Sequence, residues 1–240
     1  MKREAQAVLL LLVGGTLLKI GIAGTYVRYV KPGQLPLLLA AGVVLVGVAA
    51  VTLYRELRPS TVSSSQDAGH DHDHGSGRVG WLLLVPALAL LLFAPPAVGA
   101  FQASRNGTAL GSQADSDFPP LPAGDPVRVS LLDYAGRAVF DHGRSLDGRT
   151  VQVSGFVIPG AEGHLYLARM IVTCCAADAR PVKVGLMGDV PAGVKAEQWV
   201  EVTGTYVDHA DHDQVNNELI PYLRVTSLRD IAAPEQQYES

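Results

Sequence analysis

Apolar residues crowd into the first hundred positions, in three stretches parted by short polar breaks: about Ala5 to Ala23, Leu35 to Leu53, and Val79 to Phe101. Each approaches or reaches the roughly 20 residues that a helix needs to cross a hydrocarbon core, where unsatisfied backbone is too costly for open loops. Lys19 interrupts the first, but its stem is long enough to carry the ammonium to the nearer interface. The second and third hold no charge, the third being softened by Pro86, Pro95 and Pro96. The pattern predicts three transmembrane helices. A cleaved signal peptide is the alternative for the first, since Met-Lys-Arg before an apolar run begins such peptides. No small-x-small cleavage site follows, however, and Tyr26, Arg28, Tyr29 and Lys31 read as a retained interface anchor.

Beyond residue 126 the pattern changes twice. Leu131, Leu132, Tyr134, Ala135, Ala138 and Val139 recur at helical spacing, with Ser130 placed as an N-cap and Gly143 after the end, which predicts a short amphipathic helix over Ser130 to Phe140. The period then becomes two. Thr150–Ile158, Leu165–Thr173, Val182–Met187, Trp199–Val207 and Tyr222–Leu228 are β-branched and aromatic, so five strands are expected. So few strands leave costly edges unless the sheet closes, which favours a small OB-like five-stranded β-barrel over an open sandwich. Gly155 and Gly204, each inside a regular strand, suit bends at the corners of such a barrel.

The resulting organisation is two membrane helices in 1–57, a polar loop in 58–78, a third helix in 79–101, a Pro/Gly-rich tether in 102–126 and a soluble β domain in 127–240. Charge divides along the same line. Residues 1–100 carry eight Lys or Arg against five acids, and the remainder eleven against eighteen. A domain that acidic repels phosphate backbones and attracts cations, so nucleic acid is excluded as a partner. Lys2, Arg3, Arg55, Arg58 and Arg78 fall on one side of three spans, and Arg28, Lys31 and Arg105 on the other. The richer side is expected to be cytoplasmic, making this a multi-pass cell-membrane protein with its C-terminal domain extracytoplasmic.

Three groups of residues carry candidate chemistry. His70, His72 and His74 alternate with Asp71 and Asp73 in the polar loop, which on extended backbone turns the imidazoles to one side, as weak binding of zinc or a similar divalent ion needs. A solvated linker is the alternative. Asp208, His209, Asp211, His212 and Asp213 fall between the expected fourth and fifth strands, as an acidic surface loop or a second set of metal ligands. Cys174 and Cys175 are the only cysteines, which rules out a disulfide scaffold. Adjacent Cα atoms lie about 3.8 Å apart, short of the ordinary disulfide range of about 4.4–6.8 Å, so free thiols are expected. They read as small hydrophobes in a barrel wall, as metal ligands with Asp178, or as a redox pair. Both could reach one ion only if the chain bends after Thr173, which Ala176-Ala-Asp178-Ala permits. No nucleophile triad, Walker loop, dinucleotide fingerprint or His-Glu-x-x-His helix is present, so no enzyme is expected.

Three apolar spans, a His/Asp-rich loop before the third, Val153-Ser-Gly-Phe-Val157, Arg169-Met-Ile-Val-Thr-Cys-Cys-Ala-Ala-Asp178, Trp199-Val-Glu-Val-Thr-Gly204 and Pro221-Tyr-Leu-Arg-Val225 together resemble the YcgQ-like family of permease subunits. The resemblance covers nearly the whole chain, is most specific around the Cys-Ala-Asp neighbourhood, and implies a separate multi-span permease as partner. Cys175 matches the family's common cysteine, whereas Cys174 has a counterpart in only some members, which weighs against a mechanism that demands a dithiol. The expectation is an accessory subunit that binds or hands over a divalent metal such as zinc. A structural or assembly protein without a metal role, and a thiol oxidoreductase, are the rivals.

Overall fold

The computed structural model describes residues 3–57, 97–110, 118–160 and 163–239, together with Val85, Leu88, Ala89 and Leu92. The chain divides into two compact units: residues 1–26 with 32–96, and residues 27–31 with 97–240. In the first unit α1 (Arg3–Ile22) and α2 (Leu35–Leu57) are long and apolar enough to cross a membrane, with mean hydropathies of 1.9 and 2.5 over Ala5–Ile22 and Pro32–Leu57. They pack against each other where Gly14 faces Gly42. Their remaining surface is apolar: Leu11, Val43, Val44, Val48 and Val51 are exposed, the reverse of what water favours. Most of the third expected span, and all of His70, His72 and His74, lie outside the described residues.

The second unit is built on a five-stranded β-barrel. Its elements are α3 (Ala100–Ala103), β1 (Val127–Arg128), α4 (Leu131–Phe140), β2 (Thr150–Pro159), β3 (Leu165–Ile171), β4 (Arg180–Gly188), β5 (Trp199–His212), β6 (Leu219–Asp230) and β7 (Tyr238–Glu239). Five of the strands form a ring in the order β2-β3-β4-β6-β5 and back to β2, with β4–β6 parallel and the other four pairings antiparallel. The ring is closed by β2 alone, which pairs with β5 through Phe156 and with β3 from Phe156 onward.

Gly155 marks that change of partner, since a Cβ there would stand 2.6 Å from the Ala168 carbonyl oxygen. Gly204 lies at a register shift between β5 and β6, where a Cβ would meet the Arg224 carbonyl oxygen at 2.3 Å. Both glycines therefore act as the corner residues their place in the pattern suggested.

Alternation along the strands divides the apolar residues between two clusters. Val151, Val153, Leu167, Val182, Val184, Val200, Val202, Leu223 and Val225 fill the barrel, with Leu131, Tyr134 and Ala135 of α4 packed on them. Ser130 caps α4 by accepting the Asp133 N–H, and the buried Tyr134 hydroxyl donates to the Tyr222 carbonyl at 2.7 Å. Outward-facing Phe156, Ile158, Tyr166, Ala168, Met170, Ile220 and Tyr222 form a second cluster, covered by Ala103 and Tyr238. The C-terminal strand β7 lies along β3, and the Glu239 carboxylate accepts the Leu131 and Leu132 N–H groups, satisfying free donors at the start of α4.

The structure differs from the sequence reading in three places. Residues 97–101, expected to complete a third membrane helix, belong instead to the barrel unit, where α3 is a separate four-residue helix after the non-helical 97–99. Residues 103–110 are not a tether: Ala103, Thr108, Ala109 and Leu110 are buried on the barrel, because the Asn216 amide donates to the Thr108 carbonyl and Asp213 accepts the Thr108 N–H, contacts that a free linker would leave to water. The segment from Asp208 to His212 is not a connection either. It continues β5, pairing Ala210 with Pro221, Asp211 with Ile220 and His212 with Leu219 after a register shift, so ladder hydrogen bonds override its polar composition.

Gly204→Ala should destabilise the barrel by about 1–3 kcal/mol, as overpacking against fixed backbone does, whereas Gly193→Ala, which has open space around it, should not. Chemical unfolding of the two purified variants measures the difference.

Candidate metal centre

The turn after β3 is organised by one carboxylate. The chain leaves the sheet at Ile171, and Ala176–Asp178 form a 3-10 turn with Cys175 at its N-cap. Asp178 Oδ1 accepts the Thr173 N–H at 2.8 Å, while Oδ2 accepts the N–H groups of Cys174 at 2.9 Å and Cys175 at 3.2 Å and the Cys174 thiol at 2.9 Å. A carboxylate gathered into successive backbone N–H groups folds a tight turn without help from apolar packing. The turn also brings both sulfurs to one side of the chain. One ligand atom each from Cys174, Cys175 and Asp178 lies within 4.8 Å of the other two.

The thiols are free, with Cys174 exposed and Cys175 partly so, which removes the reading of two hydrophobes in a barrel wall: the strand has ended before them. Hydrogen bonds from the Cys174 thiol and then from the Thr173 and Cys174 N–H groups hold the Asp178 carboxyl down at about 2. The same thiol–carboxylate hydrogen bond, followed by the contact with Cys175, raises Cys174 to about 11. Without an ion, Cys174 is therefore a protonated donor at neutral pH, the opposite of the depressed thiol that an attacking redox cysteine requires. With a cation present the proton would leave, and a sulfur would face the metal with a negative charge fixed behind it.

His209 and His212, two of the histidines proposed as ligands, lie elsewhere. Among the described residues, neither His209 nor His212 belongs to a cluster of three such donors. The His209 ring lies 4.7 Å from that of Tyr222, with Nε2 at 3.6 Å from Asp211 Oδ1. Tyr222 in turn donates its hydroxyl to Asp211 Oδ2 at 2.5 Å. His212 Nδ1 is 3.0 Å from the Asn217 carbonyl oxygen.

Asp213, read from sequence as part of the acidic loop or of a second ligand set, is instead the counter-charge of Lys183, which the sequence reading passed over. Lys183 and Asp213 form a buried ion pair at 2.8 Å, their side chains 6% and 2% exposed, on the wall of a cleft of about 300 Å³. Asp213 also accepts the N–H groups of Thr108 at 2.9 Å and Val215 at 2.9 Å, and Thr108 Oγ1 accepts the Lys183 N–H at 3.2 Å. The signal was a lysine inside the apolar run Val182-Lys-Val-Gly-Leu186, a position that demands a buried counter-charge. The cluster pins residues 106–110 to β4 and to the β5–β6 turn.

Two helices long and apolar enough to cross a membrane, and a β-barrel bearing two thiols and a carboxylate on a surface turn, make up a two-part chain. Residues 5–108 match the DUF1980 N-terminal domain and residues 137–239 the DUF1980 C-terminal domain. Through both domains the chain belongs to the DUF1980 family. No curated protein matches it.

Asp178→Asn should lower the Cys174 thiol pKa and raise its alkylation rate by neutral iodoacetamide at pH 7, as followed by mass spectrometry. Burial by itself would raise the Asp213 carboxyl, but Lys183 and the Val215 and Thr108 N–H groups outweigh it and hold the carboxyl below its usual value. Its contribution to stability is therefore complete above the ordinary carboxylate range of about 4 and is lost as pH falls through the lower folded value. Asp213→Asn should cost about 3–5 kcal/mol at neutral pH, the range for breaking a buried pair, and should flatten the acid limb of a stability–pH profile.

Proposed function

We propose that the chain is an accessory subunit of a membrane transport system whose OB-like barrel takes up a thiophilic divalent cation, zinc first, for a separate multi-span permease. The observation that carries this reading is the convergence of two free thiols and a carboxylate within 4.8 Å on an accessible turn. Zinc takes thiolate and carboxylate ligands together. The two sulfurs are the primary ligands, since hydrogen bonds from three backbone N–H groups already occupy Asp178 and leave it to hold the turn and supply charge. Coordination positions then stay open to water or to a recipient's side chains, as hand-over requires.

The rest of the reading follows from architecture. The ring order, with one parallel pairing among five strands, is that of an OB-like barrel. Apolar helices anchor the chain in the lipid, and the bias of Lys and Arg favours a cytoplasmic N-terminus and polar loop, with the barrel outside. His70, His72 and His74 would then receive or sense the ion within. A few spans do not make a substrate pathway, which is ordinarily built between repeated helix bundles, so a permease is required, as the resemblance to YcgQ-like subunits also implies.

A second reading has its own support. The hydrogen bonds of Asp178 account for the turn without any ion, which suits an assembly protein whose barrel serves protein contact alone.

Zinc titration of the detergent-solubilised full chain separates the two. In a His70→Ala/His72→Ala/His74→Ala background, which removes the second set of ligands, one equivalent should bind, with affinity rising as pH increases and thiol protons leave more readily. Cys174→Ser/Cys175→Ser should abolish it and His209→Ala should not; equal binding by the double serine variant and the parent chain would leave only the assembly reading.

A further inference from the structure

Two segments that adjoin apolar runs of the sequence converge on one end of the barrel. Residues 27–31, which join α1 to α2 in the chain, lie along the cysteine turn: Val30 forms an antiparallel bridge with Cys175, the Lys31 N–H donates to the Cys174 carbonyl at 3.1 Å, and the Ala176 N–H donates to the Tyr29 carbonyl at 2.7 Å. Residues 97–98, within and next to the end of the third apolar stretch, are held by Tyr238. Its hydroxyl accepts the Val98 N–H at 2.9 Å and donates to the Arg28 carbonyl at 2.9 Å. Tyr238 is 3% exposed and pairs with Met170, close to where β3 gives way to the turn. One buried hydroxyl therefore ties both segments to the end that carries Cys174, Cys175 and Asp178.

The chain next to these two segments is suited to a lipid boundary. Phe101 is 66% exposed, and the Arg105 guanidinium stands 4.4 Å from the centre of its ring. Aromatic and basic side chains of this kind settle at the level of lipid headgroups, the ring in the apolar margin and the cation at the phosphates. Arg28 and Lys31, on the segment beside the cysteine turn, put positive charge at the cysteine-bearing end of an otherwise acidic unit.

We infer that the barrel rests on the membrane with its cysteine-bearing end against the phospholipid headgroups. The ion site then opens sideways along the bilayer surface, toward the flank of a membrane partner, rather than into bulk medium. The inference rests on the membrane reading above but not on metal binding.

The far end of the barrel supplies the control. β4 runs nine residues away from the turn, about 30 Å at the usual rise per residue, to the exposed Ala192 in the following loop. The full chain would be placed in phosphatidylcholine nanodiscs doped with a gadolinium-chelating lipid and labelled with a nitroxide at one cysteine. The sites are Cys175 in Cys174→Ser, and Ala177→Cys or Ala192→Cys in Cys174→Ser/Cys175→Ser. Headgroup gadolinium should relax labels at 175 and 177 several-fold more strongly than the label at 192. Equal relaxation, or stronger relaxation at 192, would overturn the orientation while leaving the transport reading intact. Release of the unlabelled chain from vesicles by alkaline carbonate would remove the membrane reading and this inference together. Because 177 does not depend on a native cysteine, loss of the turn in one labelled variant does not decide the outcome.

Discussion

One strand must serve two partners for this barrel to exist. β2 is ten residues long, and along that length it leaves β5 and takes up β3, with Phe156 paired to both Trp199 and Ala168. A side chain at Gly155 would strike the Ala168 carbonyl, so the close crossing of β2 over β3 depends on the missing Cβ. Closure removes the exposed edges that five strands would otherwise present, and it gives the barrel two distinct ends. The location of every other feature follows from those ends: α4 on the core, the tail along β3, and the cysteine turn where β3 stops.

The outer face of the barrel is as structured as its interior. Apolar residues of β2, β3 and β6 that point outward would be a liability in water, and residues 97–110 together with the tail cover them. Polar groups fix that cover in place. Lys183 and Asp213 fasten Thr108, and Tyr238 binds the backbones of Val98 and Arg28, so each of these polar groups meets a partner from another part of the chain. Such pairs add specificity to a surface that apolar contact alone would leave free to slide.

In the thiol–carboxylate turn the residues of a candidate ligand site are also those of a structural motif. Asp178 folds the turn by accepting backbone N–H groups, and the same charge keeps Cys174 protonated until something better than a proton competes for its sulfur. Rigidity and chemistry thus come from one side chain. A preformed turn would lower the ordering cost of binding an ion, and accessible sulfurs would leave room for ligands from outside the chain.

Local pattern made much of this legible. Helix α4 with its Ser130 cap, the five long strands and both corner glycines stand where period and turn chemistry put them, because each depends on neighbours within a few residues. The two apolar helices were equally plain, since their length and composition are themselves the signal. Other features are absent from any local window. Asp208–His212 reads as a loop until β6 lies beside it, and residues 103–110 read as a tether until Lys183 and Asp213 pair beneath them. Sequence showed that Cys174, Cys175 and Asp178 could meet if the chain bent. The bend itself, and the separation of His209 and His212 from that cluster, were decided by tertiary structure, because hydrogen bonds and strand pairing between distant residues set where each side chain points.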